Sequence, residues 1–461
     1  MHSKFRLAAS VAAVTCLFCF ASSATQATVT LLGIGSLPAD AVDLSGLTDP
    51  LENGAVQNLL GGIGSSLAYT GFGNRFLVVP DRGPNATPYD PAVDDTTSYI
   101  DRFHEIDLKL TASGSGYTVT PTLVHTTLLS SATPLVGKAT TDNPNKTYFT
   151  GLSSGFDASN SASSMRLDPE GIRIGAGGNS VFISDEYGPH LYEFNRTTGQ
   201  RIRTLTLPAD FNIANPKASG ANELPLANTS GRQPNRGMEG LAISPDGKTL
   251  VGIMQNPLIQ DGALDSVNKR VGTNIRIVTI DAATGATHEY LYQLNSGKNN
   301  GVNEIVAVNN HQFLVIERDG NAGTKAAFKK IYEIDIAGAT DIKGIAAFPS
   351  TGTPAGVIAV SKSVFIDLLD PSFGLAGATF PEKIEGVTFG PDLADGRHTL
   401  IVANDNDFLA GQTSNFYVFG VDKGDLNYVS QSIAAVPEPT IYAFFAIGIA
   451  VLGVIRLQRR H

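Results

Sequence analysis

The chain has few of the residues on which many functional sites depend. Of its 461 residues only two are cysteines, Cys16 and Cys19, and both lie within the first 20 positions. If that segment is removed from the mature protein, the remainder has neither a disulfide nor thiol chemistry. The eight histidines are scattered, and the chain has no HExxH, Walker loop, contiguous EF-hand or CxxC pair. The sequence therefore lacks the common signatures of zinc, nucleotide and redox sites.

Helical periodicity is also nearly absent. The composition is 42% apolar, which is enough for a large core, and includes 48 glycines and 24 prolines. Such a chain, with short apolar runs separated by turn residues, is typical of an all-β protein. We expect one large domain at residues 28–425, a linker at 426–435 and a signal at each end.

The first 27 residues have the composition of a secretory signal peptide. Lys4 and Arg6 precede an apolar stretch at 7–20, and small residues follow it. An N-terminal membrane anchor is the alternative, but the apolar run is short for one. We therefore predict that the protein is exported.

Residues 436–461 combine three features in a short space. Pro437-Glu438-Pro439 is followed by an uncharged stretch at 440–455 and then by an arginine-rich end. The stretch is near the lower length limit for a transmembrane helix, and the basic end favours a cytoplasmic C-terminus. The combination resembles the PEP-CTERM sorting signal of Gram-negative bacteria; an ordinary single-span anchor is the alternative. The resemblance implies an exosortase as partner, transient anchoring in the inner membrane, cleavage near Pro-Glu-Pro, and release to the cell surface or extracellular matrix.

The charge balance restricts the partners. The formal net charge is −10, and removal of both terminal segments takes away five basic residues but only one acidic residue. An acidic mature protein of this kind is not suited to bind nucleic acid or an anionic membrane. A polyanionic ligand would need bridging cations.

Residues 236–257 contain a unit that recurs along the chain. Two apolar runs flank Pro245-Asp246-Gly247, which predicts a β-hairpin with a tight turn. Glu239 opens the first run, and Gln255 and Asn256 end the second. Antiparallel pairing would therefore place a carboxylate and a polar cluster at the same edge of the sheet.

Four further stretches repeat this pattern. Glu170, Glu304 and Glu385 each open such a unit, whereas the first copy lacks the glutamate and ends in Asp81 and Arg82. Outer hairpins follow several copies, so that each unit has four strands. Serial four-stranded units predict a β-propeller, for which we expect about six blades with a range of five to seven.

The repeats fix approximate blade limits. The five visible units lie at about 62–130, 165–208, 236–296, 301–346 and 380–425. The piece at 357–369 is a candidate for strands of a sixth unit. The early strand at 28–37 is a candidate for closing the ring against the last blade.

Equivalent strand ends of a propeller converge on the central channel, so the repeated charges should meet there. Gathered carboxylates repel one another and need a cation, an arginine partner or a proton. Oxygen ligands without cysteine suit Ca²⁺ better than zinc or copper. The expected metal ligands are Glu170, Asp185, Glu186, Glu239, Glu304, Asp319, Glu385, Asp405 and Asp407. The expected catalytic residues are Asp81, Arg82, Glu317 and Arg318, and the expected substrate-binding residues are Arg236 and His190.

Two alternatives stay open at this point. The ring glutamates can instead accept backbone N–H bonds and hold neighbouring blades together. Ser153, within the GLSSG sequence at 151–155, matches the letters of a nucleophile elbow, but the residues after it have the composition of a loop rather than a helix. We therefore assign Ser153 to a loop.

Several motifs in one order resemble a known family. They are DRGPN (81–85), EGI (170–172), SDEYGP (184–189), NRGMEGLAISPDG (235–247), NEI (303–305), ERDGN (317–321), KIEGVTFGPD (383–392) and NDND (404–407). Together they resemble the phytase-like, or "esterase-like activity of phytase", family of secreted bacterial proteins. The resemblance implies hydrolysis of phosphoesters or related esters, and the acidic rim suggests assistance by Ca²⁺. A non-catalytic propeller that binds a ligand or matrix polymer at the cell surface is the alternative, because one fold carries many functions.

Overall fold

The computed structural model describes residues 28–224 and 228–435. The strands of these residues form five antiparallel sheets of four strands each, which are the blades of a β-propeller. The prediction of an all-β propeller is therefore confirmed. The signal peptide predicted at 1–27 and the sorting signal predicted at 436–461 lie outside the described residues.

The strands follow the chain in blocks of four. Blade 1 has β2 (Ser66–Tyr69), β3 (Arg75–Val79), β4 (Arg102–Ser113) and β5 (Gly116–Leu128). Blade 2 has β6 (Pro169–Ile174), β7 (Ser180–Asp185), β8 (His190–Asn195) and β9 (Arg201–Thr206). Blade 3 has β10 (Met238–Ile243), β11 (Thr249–Met254), β12 (Asn274–Asp281) and β13 (Thr287–Gln293). Blade 4 has β14 (Asn300–Ala307), β15 (Gln312–Asp319), β16 (Lys329–Asp335) and β17 (Ser361–Asp367); blade 5 has β18 (Ile384–Phe389), β19 (His398–Asn404), β20 (Ser414–Val421) and the N-terminal β1 (Val29–Leu37).

The innermost strand comes first in every blade. These strands, β2, β6, β10, β14 and β18, pack side by side around the channel, and β18 returns to β2. The N-terminal strand closes the ring because β1 pairs with β20 as the outermost strand of blade 5, from Val29 opposite Val421 to Leu37 opposite Ser414. The predicted role of the early strand is confirmed.

The number of blades is five, one fewer than the central expectation of six and at the lower end of the expected range. The difference comes from residues 357–369. Their strand, β17, pairs with β16 as the outer edge of blade 4 and does not begin a new unit. A long loop between β16 and β17 separates this strand from its partner in sequence, which made it resemble the start of another repeat.

Glycine follows three of the four ring glutamates, Glu170, Glu239 and Glu385, and allows the innermost strands to pack closely. A Cβ atom on Gly171 would lie 2.5 Å from the Cβ of Leu241, and one on Gly240 would lie 2.8 Å from the nitrogen of Ile305. Both distances are shorter than van der Waals contact allows. The repeated Glu-Gly pair thus places a charge at the start of the strand and permits the next blade to approach it.

Helices are few and short in the described parts of the chain. They comprise α1 (Gly220–Glu223) and single 3₁₀ turns at Pro91–Val93, Ala209–Phe211, Ile259–Asp261, Gly323–Lys325 and Pro371–Phe373. Within 28–224 and 228–435 no helix is long and apolar enough to cross a bilayer. The helix predicted at 440–455 falls outside these ranges.

The segment at 426–435, expected as a linker, lies across the end of the channel opposite to the glutamates. The ring of Tyr428 stacks on Phe389 with centroids 3.9 Å apart. Backbone N–H groups of the segment then bond to the hairpin turns of three blades: Val429 to Val308 O, Ser432 to Pro245 O and Ala434 to Ala176 O. The segment therefore connects blades 5, 4, 3 and 2 on that face.

Candidate functional site

A cavity of about 370 Å³ lies at the end of the channel where the innermost strands begin. We call this end the acidic mouth. Its position follows from the hairpin topology, because the second strand of each blade ends where the first begins. Seven carboxylates and five cationic side chains line the cavity: Asp81, Glu170, Glu186, Glu239, Glu382, Glu385 and Asp407, with Arg82, Arg236, Arg270, Arg318 and Lys383.

One group of acids at this mouth surrounds a lysine. Carboxylate oxygens of Asp81, Asp405 and Asp407 lie within 4.8 Å of one another. The Nζ of Lys383 is 2.9 Å from Asp405 Oδ2 and 4.0 Å from Asp81 Oδ2, and it also contacts Asp407. We call these four residues the Lys383 cluster. Burial alone would lower the pKa of Lys383, but the surrounding acids hold it well above its usual value, so the lysine is charged.

A second group of acids lies at the blade 1 to blade 2 side of the cavity. Carboxylate oxygens of Asp168, Glu170 and Glu186 lie within 4.8 Å of one another. Asp168 accepts a hydrogen bond of 3.1 Å from the backbone N–H of Arg82 and a second from its guanidinium, which is also 3.6 Å from Glu186. We call these four residues the Arg82 cluster. Arg82 therefore pairs with two of the three carboxylates of this cluster.

The pKa values in the Arg82 cluster reflect this shortage of positive charge. Burial raises the pKa of Asp168 to about 6, even though Arg82 opposes the shift. Burial and the neighbouring acids, Glu239 first among them, hold the pKa of Glu170 well above its usual value. Glu186 is 1% exposed, and its Oε1 has no hydrogen-bond partner among the described residues. These groups have the chemistry of a site that takes up a proton or a cation.

Glu239 extends the Arg82 cluster toward blade 3. Its Oε1 accepts hydrogen bonds from Gln255 at 2.6 Å and from Asn303 at 2.8 Å. Its Oε2 is buried and has no partner among the described residues. Burial, the charges of Glu186 and Glu385 and a hydrogen bond that the protonated carboxyl shares with Glu186 hold the pKa of Glu239 well above its usual value. A fourth carboxylate oxygen is thus available beside the cluster.

The remaining predicted residues of the cavity form internal pairs. Arg318 donates to Glu385 Oε1 at 2.6 Å. Burial raises the pKa of Glu385, although Lys383 and Arg318 both oppose the shift. Arg236 donates to Gln255 and therefore acts on Glu239 from a distance. The structure brings these residues together as the sequence predicted.

Glu304 is a ring glutamate that does not line the cavity. It lies deeper in the channel, where its carboxylate is 3.1 Å from Arg173 and accepts bonds from the Ser66 hydroxyl and from the backbone N–H of Leu241 at 3.0 Å. These partners belong to blades 1, 2 and 3. The geometry fits the alternative in which a ring glutamate holds blades together. Burial raises the pKa of Glu304 to about 7.

Glu317 also lies outside the cavity. Its carboxylate accepts hydrogen bonds from Tyr292 at 2.9 Å and Asn300 at 2.9 Å, and it pairs with Lys362 at 2.5 Å. Asp319 accepts from the backbone of a following loop and pairs with Lys329 at 3.1 Å. These bonds between neighbouring strands account for both charges, and neither residue reaches the acids of the cavity.

Asp185 supports the Arg82 cluster through the backbone of Asp168, whereas His190 bonds to a loop carbonyl. Asp185 accepts hydrogen bonds from the backbone N–H groups of Asp168 at 3.2 Å and Tyr187 at 3.0 Å. Burial raises the pKa of Asp185 to about 7. The Nε2 of His190 is 3.0 Å from Asn160 O, and the ring does not line the cavity. The predicted substrate role of His190 therefore has no counterpart in this geometry.

Sequence reasoning missed two members of the clusters. Asp168 and Lys383 each stand two residues before a ring glutamate, Glu170 and Glu385 respectively. Aligning the repeats on the Glu-Gly pair would have singled out this position as one that varies in charge between blades. Ser153, by contrast, lies in a loop as expected, and its hydroxyl is within hydrogen-bond distance of two backbone carbonyls.

Comparison with known proteins covers most of the propeller. The model of the family described as "Phytase-like: Esterase-like activity of phytase" matches residues 58–408. An "Uncharacterized secreted protein" of Arthroderma benhamiae is 29% identical in an alignment of length 405 that covers 74% of this chain and 73% of the relative. Among solved structures, Myxococcus xanthus glutaminyl cyclase is 12% identical with a TM-score of 0.35, covering 85% of this chain and 97% of that one. Kuenenia stuttgartiensis hydrazine synthase is 11% identical with a TM-score of 0.31, covering 79% of this chain and 80% of that one.

Proposed function

The chain belongs to the Phytase-like family, and on that premise we propose that it hydrolyses phosphoesters or related esters with the assistance of Ca²⁺ at the acidic mouth. One observation carries the proposal. The carboxylates of Asp168, Glu170 and Glu186 lie within 4.8 Å of one another, and the buried Oε2 of Glu239 beside them has no partner among the described residues. Carboxylate oxygens in this number and spacing suit a calcium ion.

The side chains of the cavity would have different roles in the reaction. Glu170, Glu186 and Glu239 would hold the ion, which when bound neutralises phosphate and polarises a water molecule. Arg82 and Arg318 would orient phosphate oxygens through paired N–H donors. Burial and Asp405 hold the pKa of Asp81 well above its usual value. Asp81 would therefore keep a proton and fit the role of a general acid toward the leaving oxygen.

The test is hydrolysis by the purified protein of p-nitrophenyl phosphate, phytate and a carboxylate ester, each with Ca²⁺ and with chelator. We expect phosphoester hydrolysis that chelator abolishes. Glu170→Gln and Glu239→Gln should each reduce the rate by at least about tenfold, because each removes one charged ligand. Asp246→Asn, in the turn at the opposite end of blade 3, is the control and should retain the rate. Activity that resists chelator and both substitutions would contradict the metal mechanism.

A second candidate function is a non-catalytic propeller that binds a ligand or matrix polymer, with Ca²⁺ providing rigidity alone. It is favoured by the internal pairs of the cavity, in which Lys383 and Arg318 already neutralise Asp405 and Glu385. The same assay separates the two functions. A protein that Ca²⁺ stabilises against heat but that turns over none of the esters would be assigned to this second class.

We also propose that the protein is exported and processed. The fungal relative is named as a secreted protein, and the sequence of residues 1–27 has the features of a signal peptide. The signal at 436–461 would be recognised by an exosortase, with transient anchoring in the inner membrane of a Gram-negative bacterium and release to the cell surface or beyond. Mass spectrometry of the protein from an exosortase-positive host should find a C-terminus near Pro437. An intact C-terminus retained in the membrane would contradict this.

A further inference from the structure

A second cavity, of about 170 Å³, opens beside the acidic cavity. The two share Arg82, Asn85 and Asn235 in their walls, so that a ligand bound in one would lie next to the other. The smaller cavity has a different electrostatic character because an arginine without an acidic partner lines it. We call it the Arg166 pocket.

Arg166 is a buried cation that forms no ion pair with any described residue. Arg166 is 5% exposed. Its Nη1 donates to the carbonyl oxygens of Ser153 at 3.1 Å and Lys217 at 3.0 Å. Among the described residues no carboxylate lies within 4.0 Å of the guanidinium, and its Nε and Nη2 donate to no protein acceptor. A guanidinium offers five N–H donors, and a buried charge without a counter-ion is costly. The free donors are therefore open to an anion.

The two acids in the same wall are already used by other groups. Asp94 accepts hydrogen bonds from the Ser219 hydroxyl at 2.7 Å and from the N–H of Gly220 at 2.6 Å. Glu223 forms a two-pronged pair with Arg232, at 2.8 and 3.2 Å. Neither carboxylate therefore forms an ion pair with Arg166, although Glu223 acts on its charge from a distance.

A second guanidinium, that of Arg82, contacts the same aromatic ring as Arg166. Arg166 lies 4.6 Å and Arg82 lies 5.7 Å from the centroid of the Tyr187 ring. The Nε of Arg82 is buried and has no partner among the described residues. Contact with the ring compensates only part of the cost of bringing two cations together. Burial and the nearby Arg232 lower the pKa of Arg166, although Tyr187, Glu223 and Asp185 act in the opposite direction.

We propose that the Arg166 pocket binds a tetrahedral oxyanion, a phosphate group, through Arg166 and Arg82 without a metal ion. The chemistry matches because planar N–H forks bind phosphate oxygens in pairs. The inference rests on the proposed function in one respect: in the hydrolase the pocket would anchor an anionic group of the substrate that occupies the adjoining acidic cavity. Binding of the anion itself needs neither Ca²⁺ nor turnover.

The experiment is calorimetric titration of the exported protein with inorganic phosphate in the presence of chelator. Arg166→Gln should weaken phosphate binding by about 10-fold to 100-fold, because a charge-assisted hydrogen bond is lost, whereas Arg166→Lys should retain part of the affinity. Arg201→Gln is the matched control. Arg201 also donates to a backbone carbonyl, lies 5.7 Å from the ring of Tyr192 and pairs with no carboxylate in the described residues, but it lines neither cavity.

The outcomes separate this inference from the proposed function. Phosphate binding in chelator that Arg166→Gln weakens and Arg201→Gln spares supports the pocket, whether or not the protein turns over an ester. Equal binding by the wild type and by folded Arg166→Gln, or binding that appears only with Ca²⁺, overturns it. Acetate in a parallel titration distinguishes the anion class, since binding of acetate as tightly as phosphate would contradict a phosphate site. If Arg166→Gln unfolds, Arg166→Lys must bind phosphate more weakly than the wild type, and equal affinity would overturn the inference.

Discussion

The Lys383 cluster and the Arg82 cluster occupy the same mouth of the channel and contain the same kind of acid, but they differ in how the chain neutralises them. In the first, a single lysine is close to all three carboxylates. In the second, Arg82 contacts Asp168 and Glu186, and Glu170 has no cation within 4.0 Å among the described residues. The flexible side chain of Lys383 can place its ammonium group among the acids. The guanidinium of Arg82 is instead held beside Asp168, which also accepts a hydrogen bond from the Arg82 backbone N–H.

The difference indicates which acids are available to bind an external ion or a proton. The ammonium of Lys383 lies near all three carboxylates of its cluster and occupies the position that an external ion would take, so an added ion has little to gain there. The unpaired oxygens of Glu186 and Glu239, both buried, retain an unmet demand for charge or a proton. We therefore expect the two clusters to respond in opposite ways to removal of the internal cation and to changes of pH and Ca²⁺.

Removal of the lysine should have the largest effect. Lys383→Met leaves Asp81, Asp405 and Asp407 without a cation and should lower the free energy of unfolding by about 3 kcal/mol, the lower end of the range for a broken buried pair, because the side chain remains 23% exposed. Ca²⁺ should restore part of this loss, since the three acids then resemble an oxygen-ligand site. Chemical denaturation with Ca²⁺ and with chelator measures both effects.

Lys423→Met is the control for this substitution. Lys423 is exposed and lies 3.8 Å from Asp392, so its removal should change the free energy of unfolding by less than about 0.5 kcal/mol. A variant Lys383→Met as stable as the wild type in chelator would show that the lysine does not neutralise the trio.

The pH dependence of stability should be the next largest effect. Burial raises the pKa of Asp168 to about 6 and that of Asp185 to about 7, both above the value in the unfolded chain. A carboxyl whose pKa is raised by folding favours the folded state when protonated. Its contribution is therefore complete below about pH 4 and is lost as the pH rises through 6 and 7, at about 1.4 kcal/mol for each unit of pKa difference.

Denaturation between pH 4 and pH 8 in chelator measures this slope. We expect Ca²⁺ to flatten it, because the ion binds the deprotonated acids and stabilises the folded state at high pH. Glu170→Gln should also reduce the slope, since it removes a neighbouring negative charge. If Ca²⁺ left the slope unchanged, the Arg82 cluster would bind protons but not Ca²⁺.

The fold could be predicted largely from the sequence because the repeated unit has local causes. The turn at Pro245-Asp246-Gly247 is present, and Gly247 has the positive φ of 70° that such a turn requires. Ring closure by β1 was also predictable, because a strand so far ahead of the first repeat has no other partner. The blade count was less predictable, since the pairing of β17 with β16 spans a long loop that local patterns do not report.

The sequence predicts which end of the channel carries the charged side chains, but it does not predict which of these side chains pair with one another. Placement at equivalent strand ends brought Glu170, Glu239 and Glu385 to one cavity, as expected. Whether a given acid faces the cavity or a neighbouring strand depends on side-chain direction and on partners distant in sequence. Glu304 and Glu317 therefore face internal partners, Arg173 and Lys362, that no local motif indicates.

The smallest effect should come from the amide that connects the two halves of the cavity. Asn303 donates to Glu239 at 2.8 Å and to Glu385 at 3.3 Å, and it is 2% exposed. Asn303→Ala should lower the free energy of unfolding by about 1 kcal/mol, the usual net contribution of such a bond, and should leave stabilisation by Ca²⁺ intact. Asn256→Ala is the control, because its amide bonds to the backbone carbonyl of Asn300 at 3.0 Å rather than to an acid. Both variants should lose similar stability in chelator. If Asn303→Ala alone also lost the Ca²⁺ response in thermal melts, the amide oxygen would itself be a ligand, and the boundary of the ion site would extend from the Arg82 cluster toward Glu385.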